Sequence, residues 1–336
     1  MNRYLFVQPK LLKYREKFYT SLAESLNGEL FICHPNANVF NKKHANLTEL
    51  RVRTLRFWRF YFYFIRVGRS EYTKIVLPLD IYCINLWLSI LFTKDRSRFI
   101  LWGIGKGSNR YLTKLRLWIA SKAKTIFYNS DIFDTHLLAD NQVYCGNSVY
   151  VSPPDFTPTK KNMLFVGTLD DRKELDKVLI AFEMSLPYLN EDQFFIIIGD
   201  GPAKTKLEKI ASKLNLLDRV RFLGRITDVD DLSQQYKEAK VSISYGQCGL
   251  SAIQSVGNGV PIITKHGAIT GGETNIIVNN ITGLVITDNM GALTGAIVQF
   301  MDHKLDSQFY YNNCIKLYEE RFSLRNMVSV FKDNLE

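Results

Sequence analysis

Met163-Leu164-Phe165-Val166-Gly167-Thr168-Leu169-Asp170-Asp171-Arg172-Lys173 opens the second half of the chain. The apolar run reads as a short buried strand, Gly167 ends it, and a helical pattern follows from Arg172 to Ser185. The same unit then repeats. Strands are expected at Gln193–Ile198, Val220–Leu223, Val241–Ser244 and Pro261–Thr264. Helices are expected from Gly201-Pro202 to Asn215, over Asp228–Ala239 and over Gly249–Val256. Short strands alternating with helices through glycine-bearing turns specify a parallel sheet covered on both faces. Upstream, Ser152-Pro153-Pro154-Asp155-Phe156-Thr157-Pro158-Thr159-Lys160-Lys161 carries prolines that no helix interior or central strand accommodates, so it reads as a linker. Before it the alternation is looser, with strands near Tyr4, Leu30, Ile75, Phe99 and Thr125. The expected organisation is α/β with two Rossmann-like domains: 1–151, a linker over 152–161, 162–305, and helices over 306–336 that pack back toward the first domain. Two such domains would face each other across a cleft at their strand C-termini, where ligands bind in this architecture.

Composition agrees with that scale. The 336 residues suit two ordinary domains, and 46% hydrophobic residues suffice for two cores. Five scattered cysteines (Cys33, Cys83, Cys145, Cys248, Cys314) form no C-x-x-C pair, which points to reduced thiols rather than a disulfide frame or zinc site. The N-terminus lacks the apolar core of a signal peptide. The longest apolar stretch, Ile75 to Phe92, is broken by Pro78, Asp80 and Asn85 and reads as strand, turn and buried helix rather than a membrane span. These features predict a cytoplasmic protein.

The formal charge of +10 is uneven. Between Arg51 and Ser70 six arginines and no acid are interleaved with Phe57, Trp58, Phe60, Tyr61, Phe62, Tyr63 and Phe64. Three readings stand: a core helix with a basic rim, contact with an anionic membrane surface, or nucleic acid. No helix-turn-helix, RNP or zinc-finger pattern supports the last. A basic helix carrying Arg110, Lys114, Arg116, Lys122 and Lys124 adds to the membrane reading.

Two turns carry the chemistry. At Gly167-Thr168, the strand end and the cations Arg172 and Lys173 at the next helix start suit a phosphate. A solvated helix start reads the same way. At Ser244-Tyr245-Gly246-Gln247-Cys248-Gly249-Leu250, a strand enters a glycine loop and a small-residue helix. Gly249 would let a phosphate approach free N–H groups, and Gln254 one turn on can present an amide to ribose hydroxyls or simply face solvent.

These turns resemble the family-4 glycosyltransferases of the GT-B fold. The resemblance rests on Gly167-Thr168-Leu169 with Lys173, on Phe222-Leu223-Gly224-Arg225, and on Gly249-Leu250 through Gly259-Val260-Pro261-Ile262-Ile263. It covers residues 160 to 290, and bacterial surface-polysaccharide transferases look closest. It implies a nucleotide-sugar site of Gly167, Thr168, Arg172, Lys173, Gly224, Arg225, Gln247, Gly249, Leu250 and Gln254, with Lys173 and Glu273 as the catalytic pair and no metal. Three departures stand out. Thr168 replaces the usual arginine, the first of the family's paired glutamates falls at Gly246, and the second falls at Gln254, whose amide oxygen can still accept from ribose. Glu273, in Gly271-Gly272-Glu273, would contact the donor sugar, or serve only as an acid at a helix start.

In the first half, Trp102-Gly103-Ile104-Gly105-Lys106-Gly107 has Ile104 where similar transferases place a histidine, so no general base is assigned there. Lys10, Tyr14, Arg15, Gly103 and Gly105 are the expected acceptor-binding residues, with Lys10, Lys13 and Arg15 facing an acceptor diphosphate or mere solvent. The implied function is transfer of a sugar from a UDP- or GDP-sugar, with no cofactor, to a glycan or lipid-linked acceptor in O-antigen or capsule synthesis, with retention and peripheral contact at the inner membrane face. The alternatives are a catalytically weakened regulatory paralogue and a sugar-nucleotide epimerase of the same fold.

Overall fold

The computed structural model describes residues 1–36, 39–40, 44–65, 71–105, 109–128, 139–153 and 155–336. It divides into two compact units, Met1–Tyr150 with Leu324–Glu336, and Val151–Ser323.

The first unit is built on seven parallel-paired strands in the order β3-β2-β1-β6-β7-β8-β9. They are β1 (Asn2–Val7), β2 (Gly28–His34), β3 (Leu47–Arg51), β6 (Lys74–Pro78), β7 (Phe99–Gly103), β8 (Lys124–Phe127) and β9 (Gln142–Tyr144). Helices α1 (Glu16–Ser25), α2 (Ile84–Phe92) and α3 (Arg110–Ala120) cover its faces. Strands such as Tyr4–Val7 and Ile75–Leu77 are buried throughout, as a sheet covered on both faces requires. Between β3 and β6 the chain makes an antiparallel hairpin, β4 (Thr54–Phe57) and β5 (Phe60–Tyr63).

Over the described residues 51–65, that hairpin rules out the reading of this stretch as a core helix with a basic rim. A run of aromatics with no β-branched residue among them reads as either element, and the antiparallel pairing from Thr54 with Tyr63 to Phe57 with Phe60 makes it strand, with Tyr63 buried and Phe57 71% exposed. Arg66, Arg69 and Ser70 lie outside the described residues. The basic helix is also shorter than expected. It ends at Ala120, so Lys122 lies in the following turn and Lys124 begins β8.

The second unit has six parallel strands in the order β12-β11-β10-β13-β14-β15. These are β10 (Asn162–Val166), β11 (Phe195–Ile198), β12 (Val220–Gly224), β13 (Ala239–Ile243), β14 (Ile262–Lys265) and β15 (Gly283–Ile286). The helices are α4 (Leu175–Ser185), α5 (Lys204–Lys213), α6 (Val229–Lys237), α7 (Leu250–Gly257), α8 (Met290–Met301) and α9 (Ser307–Leu317). In chain order this is the 3-2-1-4-5-6 arrangement of a doubly wound nucleotide-binding sheet, whose ligand crevice opens where the order reverses, between β10 and β13. The first unit reverses in the same way between β1 and β6.

The last helix, α10 (Leu324–Leu335), belongs to the first unit. Phe331 is fully buried there, with its ring 4.9 Å from Trp102, 5.2 Å from Phe18 and 5.7 Å from Phe6. All five cysteines are buried and unpaired.

Candidate active site

At the reversal point of the second unit, β10 ends in Gly167 and runs into a tight turn. Asp170 caps this turn by accepting the Arg172 backbone N–H at 3.1 Å. Residues Asp171–Lys173 make one 3-10 turn, and Glu174 follows with φ 51° before α4 begins at Leu175. The helix expected from Arg172 therefore starts three residues later, because the left-handed Glu174 breaks its register. Arg172 and Lys173 sit on the turn ahead of the helix.

The neighbouring loops are held by backbone contacts. Leu169 donates to the Asp200 carbonyl at 3.0 Å, and Gly199 donates to the Gly224 carbonyl at 2.8 Å. A Cβ at Gly199 would lie 1.8 Å from the Gly167 carbonyl oxygen, so only glycine fits between β10 and β11 at this level. Arg225 follows Gly224 on the exposed edge beyond β12.

Gly246, beyond β13, donates to the Lys173 carbonyl at 3.2 Å. A Cβ there would stand 2.3 Å from the Arg172 carbonyl oxygen and 2.8 Å from Glu174 Cγ. The family's first glutamate is thus excluded by the backbone, and the stem of Glu174 occupies its space. Gln247 and Cys248 pair with Ile269, which donates to Gly246 O at 3.0 Å and accepts from Cys248 N at 2.9 Å. This pairing brings the loop carrying Glu273 against the turn carrying Lys173. Ser244 Oγ donates to the Gln247 carbonyl at 2.8 Å, fixing the approach to Gly249 and Leu250 at the start of α7. Space is open in front of Gly249 and of Gly224.

Within this frame Lys173 lies over Gly167, its Cε 3.8 Å from where a Cβ on that glycine would stand. Burial pulls its ammonium below the ordinary lysine value, opposed by Asp170, while Arg172 adds to the fall. Arg172 is exposed and engaged by Asp170 through contacts of 2.7 and 3.2 Å. Thr168 is exposed at the turn. Glu273 is buried, accepting from the Gly271 N–H at 2.8 Å and Thr270 Oγ1 at 3.2 Å. Gln254 is half-buried on α7, beside a buried face of Ala252, Ile253, Ser255 and Val256.

Sequence reasoning missed a charged cluster behind this turn. Lys265 Nζ, only 7% exposed, donates to both Glu174 oxygens and to Asp288 Oδ2, each at 2.8 Å. Lys177 reaches Glu174 at 2.6 Å, and the Tyr245 hydroxyl donates to Asp288 Oδ1 at 2.8 Å. The cluster clamps Glu174 in its left-handed conformation, which bulky residues adopt at a cost. The sequence signal was Glu174 itself, at a turn position that glycine fills more easily.

The reversal point of the first unit looks different. A cavity of about 400 Å³ is lined by Gln8, Tyr14, Arg15, Asp80, Trp102 and Arg116, among others, all from that unit. Arg15 donates to Asn147 Oδ1 at 3.2 Å and its guanidinium stacks 4.7 Å over Trp102 and 5.3 Å over Tyr14. Gly103 lines the cavity and lets β7 approach Leu79, since a Cβ would lie 2.7 Å from Leu79 Cβ. Gly105 is buried just beyond. Lys10 and Lys13 are exposed and do not line it, and Lys106 and Gly107 lie outside the described residues.

Residues 152–316 match the family Glycosyl transferases group 1. N-acetyl-alpha-D-glucosaminyl L-malate synthase of Bacillus anthracis is 23% identical over 61% of this chain and 53% of its own length. Alpha-monoglucosyldiacylglycerol synthase of Streptococcus pneumoniae is 29% identical over 45% of this chain and 35% of its own. The chain thus spans about half the length, or less, of the curated relatives it matches. HepE of Anabaena, solved in complex with UDP, superposes with a TM-score of 0.72 at 12% identity, over 100% of this chain and 99% of that one.

Proposed function

From a chain that has the GT-B fold and a Glycosyl transferases group 1 domain over residues 152–316, we infer a glycosyltransferase that moves a sugar from a nucleotide diphosphate-sugar to a glycan or lipid-linked acceptor in surface-polysaccharide synthesis. The observation that carries this reading is the turn at Gly167–Lys173 meeting the Gly246–Leu250 loop backbone to backbone. In the proposed complex the diphosphate lies before Gly167, Thr168 and the α7 N-terminus, where N–H groups and the helix dipole favour an anion. Lys173 stabilises the charge that develops on the leaving phosphate. Gln254 holds the ribose hydroxyls, Gly224 and Arg225 border the base, and Glu273 faces the donor sugar. Anomeric configuration is retained by same-face attack, the departing phosphate taking the acceptor proton. The positive charge this needs comes from Lys173 and backbone dipoles, so activity is expected to survive a chelator.

A thermal-shift panel of UDP-, GDP-, ADP- and dTDP-sugars tests donor binding, because saturating ligand at a hundred times its Kd stabilises by about 2.7 kcal/mol. No shift with any of them would defeat the proposal. The loss of a carboxylate at Gly246 supports a second reading, a regulatory paralogue that binds the donor without turnover; absence of product with donor bound would select it.

Membrane contact belongs to the same proposal. The β4–β5 hairpin exposes Leu55, Phe57 and Trp58, and α2 ends in an exposed Phe92. Arg56 and Arg59 stack on Tyr61 and Trp58. Such aromatic and basic surface suits an anionic headgroup layer. Trp58→Ser with Phe57→Ser should abolish sedimentation with phosphatidylglycerol vesicles and leave the melting temperature near that of wild type.

A further inference from the structure

The cavity at the first unit's reversal point holds donors without acceptors. Gln8 Nε2, Arg15 Nη1, Trp102 Nε1 and Arg116 Nε are all buried with no hydrogen-bond partner among the described residues, and all four residues line that one cavity. The Trp102 N–H lies beside the Cys145 thiol, a weak acceptor at best. A buried donor left unsatisfied costs about 1–3 kcal/mol, and more when it carries charge. Native proteins leave few such groups, and here several gather in one place.

The lining charges are two guanidiniums against one carboxylate, Asp80, whose Oδ1 accepts the Tyr82 N–H at 2.9 Å. The cavity is therefore net positive and rich in N–H groups. Its walls are fixed: Trp102 is 5% exposed between Arg15 on one side and Phe331 on the other, and Leu79 N donates to Trp102 O at 2.8 Å. A rigid set of converging donors is what recognises an oxyanion, and planar guanidinium groups match phosphate or carboxylate oxygens in particular.

We propose that this cavity binds an oxyanion, a phosphate or carboxylate group of the acceptor, through Gln8, Arg15, Trp102 and Arg116. The assignment rests on the glycosyltransferase reading only for calling that ligand the acceptor. Two sources carry this chemistry, a soluble acid and a lipid headgroup. The hairpin lies next door, since Tyr61 donates to Tyr82 O at 2.9 Å and Arg59 stacks 5.8 Å from the Tyr82 ring. A headgroup at a membrane surface could thus reach the cavity while the hairpin contacts the lipid.

The test uses the full chain labelled with 15N at its four tryptophans, which gives one indole resonance each. Trp102→Phe assigns the Trp102 signal. Inorganic phosphate and pyrophosphate at millimolar concentration should move that signal. Arg15→Gln and Arg116→Gln should each weaken the response about tenfold or more. Arg116→Lys should recover part of it, a pattern that a folding defect would not produce. If the Trp102 signal stays still with both anions, or moves in both Gln variants at the same concentrations as in wild type, the assignment is overturned. Saturation at lower phosphate concentration on bicelles containing phosphatidic acid than with free phosphate identifies a headgroup; the reverse order identifies a soluble acid. Nucleotide-sugar binding is read on the same samples by thermal shift. Its failure beside an intact phosphate response would remove the donor reading and leave the oxyanion site standing.

Discussion

Both units reverse strand order, and both open a crevice there, yet the two crevices are finished differently. Between β10 and β13 most charged groups have found partners: Arg172 is held by Asp170, Lys265 by Glu174 and Asp288, and Gly246 by the Lys173 carbonyl, with Gln247 Oε1 left buried and unsatisfied among the described residues. Between β1 and β6, Gln8 Nε2, Arg15 Nη1, Trp102 Nε1 and Arg116 Nε have no acceptor among the described residues. One crevice is organised by internal pairs that set a backbone surface. The other is organised by packing and left electrically incomplete. A site of the first kind keeps its shape without ligand, and a site of the second kind gains stability from binding.

Gly246→Glu, which restores the family's carboxylate, carries the largest expected effect. With a Cβ 2.3 Å from the Arg172 carbonyl oxygen, the turn must move. A loss of about 3 kcal/mol in urea unfolding, with donor binding abolished, is expected. A stable variant with higher activity would show that the contact between loops does not constrain the site.

Lys265→Met probes the pairing itself. Removing the cation leaves Glu174 half-buried and should cost about 2 kcal/mol, less than for fully buried pairs because Lys177 still reaches Glu174. Burial pushes the Glu174 carboxyl up, but bonds from Lys177 and Lys265 outweigh it and hold the group below its ordinary value. Lys265 and Tyr245 lower Asp288. In this window the unfolded chain binds more protons, so stability falls as pH falls. The cluster's contribution is present above the unfolded carboxylate values, about pH 4–5, and is lost as pH drops through the depressed folded ones. For Lys265, burial lowers the ammonium value but Asp288 and Glu174 more than restore it, so its contribution disappears only in alkali. The stability difference between wild type and variant should be level near neutrality and shrink in acid. A difference independent of pH would assign the cost to packing alone.

Lys173→Ala should lower donor affinity by about 2 kcal/mol with an unchanged melting temperature, as loss of one charge-assisted bond predicts. Unchanged affinity in calorimetry would remove Lys173 from the site. Gln254→Leu is the mildest change, about 1 kcal/mol in donor binding, while Gln254→Glu should bind like wild type because it keeps the acceptor oxygen. Equal binding by the leucine variant would place Gln254 outside.

The same contrast explains what could be read in advance. The second unit's crevice is written in short runs, because backbone approach demands glycine at fixed offsets from strand ends, and Gly167, Gly199, Gly246 and Gly249 follow that rule. Five of its six strands lie within a residue or two of where periodicity places them, and β15 was not expected. The first unit's cavity draws on positions 8, 15, 80, 102 and 116, which no local pattern connects. Arg15 was visible as a cation near a strand end, whereas Arg116 read as one charge on an amphipathic helix. Trp102 was visible only as part of a glycine run. The hairpin was misread because aromatic runs lack a polar partner phase, and the start of α4 because a left-handed glutamate leaves no mark in propensity.

The return of α10 to the first unit has a consequence for biosynthesis. Phe331 completes the aromatic stack of Phe6, Phe18 and Trp102, so the first unit is discontinuous in the chain and its core lacks a wall until residues 324–335 have been made. The second unit is continuous, from Val151 to Ser323, and is translated in full before that. Domains ordinarily close in the order in which they leave the ribosome. Here the order is inverted: the unit synthesised first must wait, half-walled, for the one synthesised second, and nascent chains halted before Leu324 should expose the apolar face of β1 and α1 to chaperones.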